Sequence, residues 1–484
     1  MPAAADPPFR IVIAGAGVAG LEALLALRRL IGPGPEITVL APEHHFVDRP
    51  AWVREPFGFG AAPRLDLRAV AESQGARLHR GHLAAVDAPH RRVRTGEGDE
   101  LPYDALLVAT GARAGEGLRG AVTFGAGRGA EPLTVVIGEL ERGEVRRILF
   151  AVTAAEGWTL PLYELALMTA THVHAQGLEA EVSVVTPESA PLEVFGPPAG
   201  SAVRRLLAER GVDVHTDAAP AVAEKGRLVT RGGVSPDADR VVALARPEPR
   251  PVAGLPSDQA GWLPVDSHGR VAGHEGVFAA GDGTAFPVKQ GGLAAQQADA
   301  AAEAIAALAG AAVEPAPFSP VLRGLLLVGT SAHYLRSELD PATGRARFRT
   351  TAEIRETGRA AASRALWWPP SKIAARHLGP YLAGTGALPH DRATVAGAEV
   401  GAGGCPEPGR YGVALALVGE HEPQEAARLA LLLADQDAEH GDLPLALESL
   451  DAAAGILGPD APGLPERRAR WRARLGHDSL PAGR

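Results

Sequence analysis

Gly15, Gly17 and Gly20 follow a short apolar run, Arg10 to Ala14, and open a second apolar stretch that lasts to Leu30. This is GxGxxG at a strand-to-helix turn, the chemistry of which is phosphate binding. The first glycine permits the tight turn, the second lets backbone approach a pyrophosphate, and the third lets helix and strand pack closely. The helix N-terminus then offers its free N–H groups to phosphate oxygens. Val18 and Ala19 complete the turn, and the spacing predicts a bound dinucleotide. The chain has 58 glycines, against an ordinary share of about 7%, so the triplet by itself is a weak signal. Its place at the first predicted βα turn is what gives it weight.

Composition narrows the chemistry further. Among 484 residues, 48 are Lys or Arg and 57 are Asp or Glu, a net charge of −9, which offers no attraction for nucleic acid. The one cysteine, Cys405, excludes a disulfide framework, a CxxC redox pair and a thiolate metal cluster, so no metal is expected and any redox chemistry belongs to a cofactor. Met1 to Pro8 has neither the basic nor the apolar region of a signal peptide, and a cytoplasmic chain is expected. No apolar run approaches the roughly 18 to 20 residues of a spanning helix. The longest, Gly324 to Leu335, is flanked by Arg323 and Arg336 and reads as a core strand.

These residues need elements to position them. Residues 1–113 alternate strand and helix: the opening turn, a strand at Glu36 to Leu40, a helix near Leu67 to Gln74, and the buried run Tyr103 to Val108 ending in Ala109, Thr110 and Gly111. That pattern predicts a doubly wound parallel sheet. Residues 114–239 repeat it with strand Arg147 to Val152, helix Pro161 to Gln176, strand Glu181 to Val185 and a helix from Ala202 to Arg210. Its turn, Thr153 to Pro161, lacks the glycines, with Glu156 and Trp158 where a pyrophosphate needs bare backbone, so this half is expected to keep the fold without the nicotinamide site. Residues 240–312 return to the first style, with strands Arg240 to Leu244 and Gly276 to Ala280, the turn Gly281, Asp282, Gly283, and a helix from about Gly292 to Leu308. A mixed region, 313–386, a Gly/Ala/Pro-rich linker, 387–409, and a helical tail, 410–484, complete the chain. In the tail, helices at Pro423 to His440 and Leu443 to Leu457 resemble one tetratricopeptide-like hairpin. Repeats of that kind need at least about three units, so a docked tail is the plainer reading. Five arginines from Arg467 to Arg474 read as a solvated helix face.

The glycine turn, the strand ending Ala109, Thr110, Gly111 and the strand ending Gly281, Asp282 together resemble the two-dinucleotide-domain flavoproteins, especially the type II NADH dehydrogenase and sulfide:quinone oxidoreductase branch. The resemblance covers roughly Arg10 to Leu382. It implies two Rossmann-like domains of the FAD/NAD(P)-binding type, FAD as cofactor, and a GD motif that holds the ribityl chain. Asp282 is then expected to accept hydrogen bonds from ribityl hydroxyls, the plainer alternative being a turn cap. The helix from Gly292 points its positive end at the flavin, where it stabilises the charge of the reduced ring, and Lys289 and Gln290 add to that effect. Lys289 reads equally well as an ordinary surface lysine. The loop His44 to Phe57 resembles the segment that runs over the cofactor, with Arg49 as the expected phosphate partner. Glu43 substitutes for the missing acid at Ala41, and Leu83 resembles the position whose backbone meets adenine, with plain core packing as an equal reading.

The chain departs from the branch in two ways. With Cys405 alone, and that in the linker, cysteine persulfide chemistry is not expected. Without the second fingerprint, NADH is disfavoured as donor. The reading is an FAD-dependent oxidoreductase that passes two electrons from a small donor to quinone or another acceptor. The alternative is a flavin-binding scaffold with an inert second site whose helical tail recruits a protein partner. Trp367 and Trp368, followed by Lys372, Ile373, Arg376, His377, Tyr381 and Leu382, offer an interfacial patch that would make membrane contact at most peripheral, on the inner face. The same residues also suit a flavin-pocket cap or packing of the third domain.

Overall fold

The computed structural model describes residues 7–153, 158–224, 227–231, 236–329, 331–347, 361–362, 367, 371–384 and 463–478, with isolated positions 431, 447, 450 and 454. It divides into two compact units. One holds residues 1–361 and 371–395, the other 362–370 and 396–484. Cys405, the linker and most of the paired tail helices lie outside the described residues.

The first unit contains two parallel five-stranded sheets. In the first, the order is Val277–Ala279, Ala105–Val108, Arg10–Ala14, Glu36–Ala41 and Arg77–Arg80. Ala14 stands opposite Leu40 on one side and Val108 on the other, so three strands end together at the glycine turn. Every residue of Ala105–Val108 is buried, the continuous apolar run of a strand covered on both faces. One face carries the helices Val18–Ile31 and Gly291–Leu308, whose Ala23, Ala26, Ala298, Ala301 and Ala302 are almost completely buried in a shared core. The other carries an antiparallel meander, Leu83–Asp87, Arg92–Thr95 and Glu100–Pro102.

The second sheet has the order Val122–Phe124, Arg240–Leu244, Arg147–Ala151, Glu181–Val185 and Val212–His215. Strand Arg240–Leu244 therefore belongs here, paired with Arg147–Ala151, and not to the returning first module where its sequence position suggests it. An apolar run says that a strand is buried without saying in which sheet. The helix Leu160–Ala175 starts one residue before Pro161, and Pro197–Glu209 starts five residues ahead of Ala202. The run read as a single strand from Gly324 is an antiparallel hairpin, Val321–Val328 with Ser331–Glu338. In the second unit, the helix Leu464–Asp478 carries the five arginines. Arg470 and Arg472 are exposed, whereas Trp471 between them is 2% exposed.

Candidate functional site

The glycine turn shows in its geometry why no other residue fits. Gly15 has φ +115°, and a Cβ built there meets the Ala109 carbonyl oxygen at 2.2 Å. A Cβ at Gly20 meets the Gly15 oxygen at 1.9 Å. Gly17 differs from both. It is exposed, has nothing within 4 Å, and caps the Val18–Ile31 helix without any side-chain bond. An uncapped helix start with open space at Gly17 offers the bare backbone that a pyrophosphate needs. Thr110 and Gly111 lie beside this turn: Gly283 approaches the Gly111 oxygen, and the Ala109 N–H donates to Ala14 at 2.8 Å.

The second glycine turn is built with equal care. Gly281, φ +86°, donates its N–H to Gln297 Oε1 at 2.7 Å, and Thr284 Oγ1 donates to the Gly281 oxygen at 2.9 Å. Gln297 is buried, and nothing in its sequence setting singled it out. Its effect is to hold the turn so that Asp282 projects from the strand end. The Asp282 carboxylate is half-buried and makes no hydrogen bond among the described residues. Burial raises its pKa, opposed by the charges of Lys289 and Arg49. A polar group so placed needs a ligand or water to satisfy it.

Lys289 sits nearby with its pKa pushed down to about 8 by burial. Its Nζ donates to Thr284 O and, at 2.7 Å, to Phe286 O, and lies 3.9 Å from the centre of the Trp262 ring. Gln290 is turned to structural use. Its Oε1 accepts the Leu293 N–H at 2.8 Å, capping the Gly291–Leu308 helix, while Nε2 donates to Arg323 O at 3.1 Å. Gly292 is the second residue of that helix. Arg49 is exposed, 5.8 Å over the Trp52 ring and within electrostatic reach of Asp282. The structure thus brings Arg49, Asp282 and Lys289 together.

Glu43 and Leu83 lie elsewhere. Glu43 is exposed, and its backbone oxygen, with that of Pro42, accepts from the Arg80 guanidinium. Leu83 is half-buried and pairs with Thr95 in the meander. A cleft beside Thr110 and Gly283 is also lined by Arg250, Ser257 and Gly261. Arg80 and Arg250 are cations the sequence did not mark.

Residues 371–378 cross the ends of both key helices. Ile373, 1% exposed, lies close to Gly291, the first residue of one helix, which Val18, the first residue of the other, also approaches. Lys372 Nζ donates to both oxygens of the fully buried Glu164, at 2.5 and 2.6 Å, and to Leu325 O at 3.1 Å. The N–H groups of His377 and Leu378 donate to Glu22 at 2.8 and 2.6 Å. Burial raises the Glu22 carboxyl to about 7 and also raises Glu164, whereas it lowers His377 to about 4. Of the residues read as an interfacial patch, Ile373 and Leu382 are core residues, Trp367 is buried and Arg376 is exposed, while Trp368 lies outside the described residues. No helix among the described residues is long and apolar enough to cross a membrane.

A family model described as pyridine nucleotide-disulphide oxidoreductase matches residues 9–130 and 164–306. An NADH dehydrogenase-like protein of Mycobacterium tuberculosis is 30% identical over 301 residues, 56% of this chain and 72% of the relative. The ferredoxin reductase component of a chlorobenzene dioxygenase from a Cupriavidus species is 28% identical over 308 residues, 58% of this chain and 68% of the relative. Among solved structures, the sulfide:quinone oxidoreductase of Aquifex aeolicus superposes with a TM-score of 0.60 at 18% identity, over 68% of this chain and 84% of its own.

Proposed function

We propose, from the premise that this chain belongs to the pyridine nucleotide-disulphide oxidoreductase family, whose members are FAD-dependent oxidoreductases, that FAD lies extended between the Gly15–Gly20 turn and Asp282. The pyrophosphate takes the free N–H groups of the Val18–Ile31 helix, and Asp282 accepts hydrogen bonds from the ribityl hydroxyls. Bound there, the flavin supplies two-electron transfer. The chain's own residues orient it and set the charge around it. The N-terminus of the Gly291–Leu308 helix, capped by Gln290, and Lys289 would favour the negative charge of a reduced flavin held beside them.

The electrons come from a small donor and pass to an acceptor, either a quinone or, as the Cupriavidus relative's name suggests, a ferredoxin. Persulfide chemistry plays no part in this reading, because the single cysteine, Cys405, belongs to the linker. The single observation that carries the proposal is Asp282: a strand-end carboxylate between two glycines that makes no hydrogen bond among the described residues. The test is to purify the protein, reconstitute it with FAD and compare it with Asp282→Ala. The unaltered chain should hold the yellow cofactor. The variant should hold it about 10- to 100-fold more weakly, as loss of hydrogen bonds to a charged group implies. Unaltered protein that remains colourless in excess FAD overturns the reading.

A further inference from the structure

The reading of FAD in the first dinucleotide fold leaves the second fold without a task, and the inference drawn here rests on that reading. A Rossmann unit that binds a dinucleotide needs two things: an accessible helix N-terminus for the pyrophosphate, and a carboxylate past the second strand for the adenosine ribose. Topologically both are in place. Strand Arg147–Ala151 leads to helix Leu160–Ala175 and strand Glu181–Val185, and Glu188 follows. Neither is free.

Glu188 is 1% exposed. One of its oxygens accepts from Thr159 Oγ1 at 3.2 Å and from the Glu193 N–H at 3.1 Å, the other from Tyr163 Oη at 2.6 Å and Thr186 Oγ1 at 3.1 Å. A carboxylate offers about four lone-pair sites, and four donors already fill them. The Tyr163 side chain, fully buried, stands in the first turn of the helix and reaches across to the strand end.

The helix end itself is covered by the hairpin strand Val321–Val328. Trp158 packs against Phe195 with ring centres 5.9 Å apart. Over them runs strand Val321–Val328, so close at Gly324 that a Cβ there would lie 2.7 Å from Leu160 Cδ1, 2.8 Å from Phe195 Cζ and 3.2 Å from the Trp158 ring. Further along, the Leu327 N–H donates to Glu164 Oε1 at 2.8 Å and fastens the strand to the helix. Residues 154–157 lie outside the described residues, and none of these contacts depends on them.

We propose that the second dinucleotide fold is closed to pyridine nucleotides, with Glu188, Trp158 and Gly324 as the specificity-determining residues, and that the flavin is reduced by a donor that binds outside that fold. To admit NADH there, the strand Val321–Val328 must leave the helix and Glu188 must give up its four donors. In this the chain differs from what the name of its mycobacterial relative suggests.

The test mixes the FAD-loaded protein anaerobically with NADH, NADPH or dithionite and follows flavin colour, with thermal unfolding measured in parallel at millimolar nucleotide. Dithionite should bleach the flavin. Neither nucleotide should give saturable bleaching or raise Tm, since a ligand that binds only the folded state must stabilise it. Saturable bleaching, or a Tm rise of several degrees with either nucleotide, overturns the proposal. Protein that takes up no FAD sinks the functional reading alone, because the thermal measurement still decides nucleotide binding.

Discussion

The two dinucleotide folds of this chain have the same plan and opposite contents. Each is a five-stranded parallel sheet with the strand that feeds the first helix at its centre. In the first fold the helix begins at Gly17, with nothing within 4 Å of where a side chain would start. In the second it begins beneath Trp158 and Gly324. Even the helices match in detail, since each places a buried glutamate at its fifth residue, Glu22 and Glu164. Topology, then, builds the seat, and occupancy of the helix end decides whether the seat is a site.

The largest break in that comparison comes from filling the open seat. Gly20→Ala puts a methyl group 1.9 Å from a backbone oxygen, and backbone cannot step aside as a flexible side chain does. Overpacking of this kind costs about 3 kcal/mol or more. The variant is expected to lose FAD binding and to unfold at clearly lower urea, read by flavin absorbance and circular dichroism. A Gly20→Ala protein with full FAD content and unchanged stability would remove the close-packing account of the turn.

The paired glutamates give a second contrast. Lys372→Met leaves Glu164 buried without its cation, which costs about 3–5 kcal/mol. Glu22→Gln keeps one acceptor for two N–H groups and costs about 1–2 kcal/mol. Glu22 also carries a pH signature. Its carboxyl lies at about 7 in the folded chain against an ordinary 4.5, so the folded state holds the proton more tightly. The stability from this group is complete below about pH 4.5 and is lost as pH rises through about 7. Urea midpoints at about pH 5 and about pH 8 should therefore diverge less in Glu22→Gln than in the unaltered chain. Equal divergence in both would dismiss Glu22 as the source.

How much of this was legible in sequence follows from the range of each constraint. The glycines at 15, 17 and 20 and the Gly281–Asp282 pair stand out because backbone geometry dictates residue type within a few positions. Lys372 and Glu164 are 208 residues apart, and no local pattern joins them. Gln297 accepts from Gly281 and Thr284, and Arg80 donates to the Pro42 and Glu43 backbone oxygens, each from a regular element where the residue type carries no signal. Gln290 was read for its charge neighbourhood, while its cap on Leu293 was the nearer clue, three residues ahead at a helix start. The lack of a GxGxxG triplet in 153–161, which holds Gly157 alone, is the local signal for a second fold without a nicotinamide site. Glu188, an acid shortly after the second strand, was a signal for an open one, and only its four hydrogen bonds show it turned inward.

The finest distinction between the folds lies in Tyr163→Phe. The substitution removes one hydroxyl and leaves the ring, so packing is retained and Glu188 loses its shortest hydrogen bond, at 2.6 Å. A buried acceptor left short of a donor costs about 1–3 kcal/mol. Burial already raises the Glu188 carboxyl, and the Tyr163 hydroxyl is among the groups that hold it down, so the carboxyl should rise further in the variant. Stability should then fall by the stated amount with FAD affinity unchanged, because the proposed FAD site lies in the first fold. If Tyr163→Phe instead weakens FAD binding as much as Asp282→Ala does, the two folds act on one ligand and the contrast between them fails.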